Sequence, residues 1–190
     1  MTPTSNSEKQ DIVSDLLRII IGEDIGRGGL AETPARVVKA WGHWVGGYDI
    51  DPPELLKTFD DGAAKYDEIV LVRDIPVYSH CEHHLAPFFG VAHVGYIPRG
   101  HIVGLSKLPR VVDAFARRLQ VQERLTTQIA DTINDALKPK AVGVVLSCRH
   151  MCMESRGIQR SGTSTTTSAL RGVFKDKPEA RAEFFALIKG

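Results

Sequence analysis

The chain has 190 residues, 43% of them apolar and 25% charged, as in a single globular domain with a sizeable core. Its formal net charge is +1, which excludes a global field that would hold nucleic acid; any anion site must be a local cluster of Arg and Lys. Three cysteines make no disulfide framework, the first ten residues hold no apolar signal-peptide core, and no apolar run approaches membrane-spanning length, so a cytoplasmic protein without a membrane segment is expected.

Residues 1–10 read as a flexible polar tail, and residues 11–65 as a helical segment. Within it, Ile12, Leu16 and Ile19 recur at helical spacing between Asp11 and Ile21, before Gly22 to Gly29 break the pattern. Thr33 reads as a cap and Pro34 as the first turn of a helix to about Val45, with Arg36 and Lys39 one turn apart. Pro52-Pro53 opens a further short helix to about Phe59.

From residue 66 to the end, strands alternate with helices. Tyr66 to Tyr78 has the alternation of a half-buried strand, and Phe88 to Pro98 reads as its hairpin partner across a long loop. Ser106 is placed to cap a helix whose apolar stripe is Val111, Val112, Phe115 and Leu119. A second helix runs from Gln122 to Leu137, and Pro139 ends it. Ala141 to Ser147 reads as an apolar strand, Thr163 to Leu170 as another, and Pro178 begins a terminal helix. Helices, two strands, two helices, two strands and a helix make an α+β fold.

The chemistry concentrates in two stretches, Ser79-His80-Cys81-Glu82-His83-His84 and Cys148-Arg149-His150-Met151-Cys152. Cys81 and His84 are three apart, so one turn can offer both to an ion; thiolate with imidazole suits Zn²⁺ better than Mg²⁺ or Ca²⁺. His150 and Cys152 could close the site. Two readings stay open: a catalytic centre with a free imidazole, or a closed structural Cys₂His₂ zinc of Cys81, His84, His150 and Cys152. The surplus of Glu82, His80 and His83 favours the first. In extended chain, His83 and His84 would point opposite ways and leave one of them free for proton transfer. His80-Cys81-Glu82 also matches the His-x-Glu of nucleobase deaminases, but their Pro-Cys-x-x-Cys partner is missing.

Ser106, Lys107 and Arg110 lie together at a predicted helix N-terminus, where free N–H groups and the dipole favour an anion such as phosphate. Arg156 and Arg160 add charge beside the second stretch. Gln122 and Glu123 open the second helix, where Glu123 could accept hydrogen bonds from a guanine-type N–H edge or simply cap. A non-catalytic zinc-stabilised nucleotide-binding module would share most of these features.

Cys81-Glu82-His83-His84, then Gly104-Leu105-Ser106-Lys107, then Val121-Gln122-Glu123-Arg124-Leu125, then His150-Met151-Cys152-Met153, in this order, resemble GTP cyclohydrolase I from about Thr33 onward. The resemblance implies the tunnelling fold over residues 66–190 and a toroidal homodecamer with sites shared between subunits. It implies opening of the guanine imidazole ring of GTP, with release of formate and formation of 7,8-dihydroneopterin triphosphate, the entry to folate and pterin synthesis. It implies Cys81, His84 and Cys152 as ligands of one Zn²⁺ per subunit, and His83 and His150 as the proton-transfer pair. By the same resemblance Ser106, Lys107, Arg110 and Arg156 hold the triphosphate, Arg36 and Lys39 reach it from a neighbouring subunit, and Gln122 and Glu123 read the guanine.

Overall fold

The computed structural model describes residues 4–59 and 65–190. The chain divides into two compact units, Met1–Val45 and Gly46–Gly190, so the short helical turns at Gly46–Asp49 and Pro53–Leu55 group with the second.

The first unit is helical. Helix α1 spans Asn6–Asp15, so residues 6–10 are helical rather than a tail; residues 1–3 lie outside the described residues. The early start has a local cause: Ser5 Oγ accepts from the Glu8 N–H (3.2 Å) while Glu8 accepts from the Ser5 N–H (2.7 Å). A π-helical stretch, Leu16–Ile21, follows α1 and stops at Gly22, whose φ of +80° only glycine adopts freely. Helix α2, Thr33–Trp44, begins one residue earlier than the Thr33 cap predicted. Glu32 holds the cap position without a side-chain bond, and Thr33 is the first helical residue.

The second unit is built on a five-stranded sheet in the order β5-β2-β3-β6-β7. Its strands are β2 (Val70–Cys81), β3 (Pro87–Ile97), β5 (Leu119–Gln120), β6 (Ala141–His150) and β7 (Ser164–Gly172). Neighbours from β2 to β7 pair antiparallel, as the hairpin reading predicted; β5 joins β2 in parallel, so the sheet is mixed rather than purely antiparallel. A separate two-residue pair, β1 (Thr58–Phe59) with β4 (Ile102–Val103), takes the place of the helix predicted to reach Phe59.

Helices α3 (Lys107–Ala116) and α4 (Gln122–Leu137) lie between the two hairpins in sequence, giving the two-strand, two-helix, two-strand order of the tunnelling fold. Their apolar faces, Leu108, Val111, Val112 and Phe115 with Leu125, Ile129 and Ile133, are buried in one core with Val77, Ala92, Val94, Val144 and Leu146 of the sheet. Leu119 does not belong to the α3 stripe, because the helix ends at Ala116 and Leu119 starts β5. Two one-turn helices, α5 (Met151–Glu154) and α6 (Val173–Asp176), flank β7, and the longer α7 (Pro178–Lys189) follows. Phe184 of α7 presses on the sheet at Gly143, where an added Cβ would come within 2.6 Å of its ring. Among the described residues no helix is long and apolar enough to cross a membrane.

Register does the work that sequence distance hides. Ser79 pairs with Phe88, and Phe88 pairs with His150. One row of the sheet therefore carries the end of β2 and the end of β6 on either side of β3. The approach is close: a Cβ at Gly90 would meet the Ser147 carbonyl oxygen at 2.0 Å, so β3 needs glycine there.

Candidate active site

At the end of β2 the chain turns within five residues, not in a long loop. The Cys81 carbonyl accepts from the Leu85 N–H (2.8 Å), the Cys81 N–H donates to Ala86 O (2.9 Å), and Leu85 takes a left-handed φ of +55°. This turn brings His84 back over Cys81. Helix α5 supplies Cys152, and the ligand atoms of Cys81, His84 and Cys152 all lie within 4.8 Å of one another. Cys81 is buried, Cys152 half-buried and His84 exposed, so the group is anchored in the protein and open on one side. Two sulfurs and an imidazole are the donors that a borderline-soft cation such as Zn²⁺ takes.

Burial raises the Cys152 thiol pKa, and the neighbouring Cys81 sulfur raises it further. A metal must displace that proton, so ion affinity is expected to fall as pH is lowered, which equilibrium dialysis at several pH values would check. Cys148 takes no part. It is buried in the core, its thiol pushed up to about 12 by burial alone.

His83 and His150 stand differently. His83 lies outside the metal group, though residues 82–84 form a turn and not the extended chain assumed for it. Its Nδ1 is 3.7 Å from Cys81 Sγ and its Nε2 is 3.9 Å from Glu82 Oε1, while Glu82 itself pairs with Arg124. His150 is also outside the group, so the closed four-ligand zinc is not assembled. Its ring stacks on Phe88, with centroids 4.7 Å apart and planes 7° from parallel. Burial lowers its pKa, and the charge of Glu123 partly opposes that.

Hydrogen-bond bookkeeping sets the tautomer of His150. Gln122 Nε2 faces three acceptors, Thr165 O (2.9 Å), Thr167 Oγ1 (3.0 Å) and Leu146 O (3.3 Å), so this end of the amide must be the NH₂. Gln122 Oε1 then faces His150 Nε2 at 2.7 Å and must accept from it. The imidazole carries its proton on Nε2 and keeps Nδ1 free. Gln122 is 2% exposed, its NH₂ is engaged with the sheet and its Oε1 accepts from His150, so its side chain serves to orient His150.

The family model for GTP cyclohydrolase I matches residues 9–189. The chain belongs to the GTP cyclohydrolase I family. A GTP cyclohydrolase 1 of Nitrosospira multiformis is 61% identical over 179 residues, covering 93% of this chain and 94% of the relative. One from Janthinobacterium sp. is 62% identical over 169 residues (89% and 85%), and one from Corynebacterium glutamicum is 55% identical over 177 (92% and 89%).

The other positions that the family resemblance singled out fall in three places. Ser106 occupies the N-cap position of α3 but makes no side-chain capping bond, contrary to the cap predicted for it. Lys107 and Arg110 follow in the first turn, with Ser106 and Arg110 exposed. Glu123 is exposed at the start of α4. Arg156 lies after α5 and donates from Nη1 to His84 Nε2 at 3.0 Å, which ties it to the metal group. Arg36 and Lys39 are exposed on α2, where Arg36 pairs with Glu32 one turn back. Sequence reasoning missed Phe88 as the platform for His150, and it missed the Arg149–Glu154 pair (2.6 Å) beside the centre. An aromatic opening β3 and an Arg and a Glu five residues apart gave no signal until register placed them.

Proposed function

We propose that this protein is a zinc-dependent hydrolase that opens the imidazole ring of GTP, releases formate and yields 7,8-dihydroneopterin triphosphate. The observation that carries the reading is the Cys81–His84–Cys152 group beside a separate, oriented His150, in a member of this family. Cys81, His84 and Cys152 would hold the ion. Zn²⁺ there would supply Lewis acidity, lowering the pKa of a water to about 7 for attack at C8 of the purine. A protonated N7 makes C8 more electrophilic; His150, with Nε2–H held by Gln122, would take up a proton at Nδ1 and pass it on from the imidazolium form. His83 is the second imidazole for the proton transfers that ring opening and departure of formate require. One water is consumed overall, and rearrangement of the ribose with closure of the pteridine ring completes the reaction. Ser106, Lys107, Arg110 and Arg156 hold the triphosphate; Arg36 and Lys39 approach it from an adjacent subunit of a homodecamer. A reducing cytoplasm keeps Cys81 and Cys152 free to bind the ion. Incubation with GTP should release one formate for each pterin formed; a metal-loaded preparation that releases none refutes the reading.

Two substitutions separate recognition from catalysis. Glu123→Gln replaces a charged acceptor of the guanine N–H edge by a neutral amide and should weaken GTP by about 1.5–3 kcal/mol, read as a higher KM at unchanged thermal stability. Gln122→Leu removes the acceptor that orients His150. It should lower kcat by about 10–100-fold while metal content stays at the wild-type level. A raised KM with unchanged kcat would return Gln122 to base recognition.

A further inference from the structure

The segment from residue 155 to 163, between α5 and β7, is exposed at every position. No core holds it, and Gly157, Gln159 and Gly162 all have left-handed φ values, so no regular ladder holds it either. Yet it carries Arg156, whose guanidinium reaches His84 at 3.0 Å. Something must fix its path, and the strongest tie is a single carboxylate. Glu154 is only 6% exposed at its side chain although it carries a charge. It accepts from Arg149 of β6 through both oxygens, Nε at 2.9 Å and Nη2 at 2.6 Å, the bidentate geometry that gives Arg–carboxylate pairs their strength. The same carboxylate accepts from the Gly162 N–H at 3.1 Å and faces Ser161 Oγ at 3.5 Å. One group thus joins the start of the segment, its far end and the sheet. The other bonds are local: Ser155 N–H and Oγ to Met151 O (2.9 and 2.7 Å), Arg160 N–H to Met153 O (3.1 Å), Gln159 N–H to Arg156 O (3.3 Å) and Thr163 Oγ1 to Arg160 O (2.5 Å), and none of them reaches the sheet.

We infer that Glu154 is a positioning residue that clamps segment 155–163 and so holds Arg156 at the metal centre for the substrate's triphosphate. The inference rests on the proposed phosphate role of Arg156. Glu154 touches no substrate itself; it acts through Arg156 by sparing the segment the entropy of ordering on each binding event.

The test is a double-mutant cycle on the intact protein, with hydrogen exchange alongside. Glu154→Leu, and Glu154→Gln as the milder isosteric change, should speed amide exchange across residues 155–163 and raise the KM for GTP about tenfold and severalfold respectively, with kcat nearly unchanged. Arg156→Ala should raise KM at least as much. The combined Glu154→Leu, Arg156→Ala protein should be no worse than Arg156→Ala alone, because the clamp has then lost what it positions. A merely structural role would instead lower kcat, and by the same factor with or without Arg156. The inference alone is overturned if Arg156→Ala weakens GTP while Glu154→Leu does not, if the two losses add fully, or if exchange in the segment is unchanged. If Arg156→Ala binds GTP as tightly as the unaltered protein, the phosphate role of Arg156 is refuted and the inference falls with it.

Discussion

The His150→Ala protein is expected to keep its full complement of zinc and to turn GTP over at least about a hundredfold more slowly. His83→Ala should behave alike, whereas His84→Ala should lose both ion and turnover. The reasoning is geometric. His84 is one of three donors gathered within 4.8 Å, and without it two sulfurs remain to hold the cation. His150 is held elsewhere, by Gln122 at 2.7 Å and by the face of Phe88, so its removal takes away a proton-transfer group and no ligand. Metal analysis and kinetics on the same preparations decide the matter. Loss of the ion from His150→Ala would revive the closed four-ligand zinc and remove the free imidazole from the mechanism.

A second large effect should come from mixing two dead proteins. Arg36 is exposed on α2, and among the described residues its ion pair is with Glu32 at the N-cap of that helix. If it serves the triphosphate of an adjacent subunit, Arg36→Ala and His150→Ala homo-oligomers are each nearly inactive for different reasons. Co-assembled at random in equal amounts, about a quarter of the sites would combine an intact Arg36 from one chain with an intact His150 from another, and activity should return on that order. Were Arg36 to act within its own chain, every site would keep one lesion. Verified mixed oligomers without recovery would therefore rule out the shared site, or this residue's part in it.

Which parts of this arrangement were legible in the sequence follows from what each signal depends on. The long strands and α3, α4 and α7 were readable because their apolar spacing repeats over many residues. The two-residue strands β1, β4 and β5 were not, since two residues have no period, and Leu119 was drawn into the α3 stripe for want of a stop signal at Arg117. The start of α1 was present as Ser5 and Glu8, a capping box hidden by the polarity of its neighbours. The metal group was legible as Cys81 and His84 one turn apart, with Cys152 in a second His/Cys stretch. Gln122 was not: its residue type suits a base reader, and only the register of β6 and β7 against α4 reveals that its amide is buried and bound to His150, Thr165 and Thr167. Glu154 was silent for the same reason, being a surface-type residue that the fold buries against Arg149.

The measurement that bears most directly on the central claim is a zinc titration of the chelator-stripped protein, with formate and pterin followed together. The stripped protein should stay folded, because a chain of this size has a core that does not depend on the ion, and should be inactive toward GTP. Activity should rise with added Zn²⁺ and level off at one ion per chain, and Cys152→Ala should neither bind the ion nor recover. Full turnover of GTP by the stripped protein, or recovery by Cys152→Ala, would contradict a catalytic metal held by Cys81, His84 and Cys152.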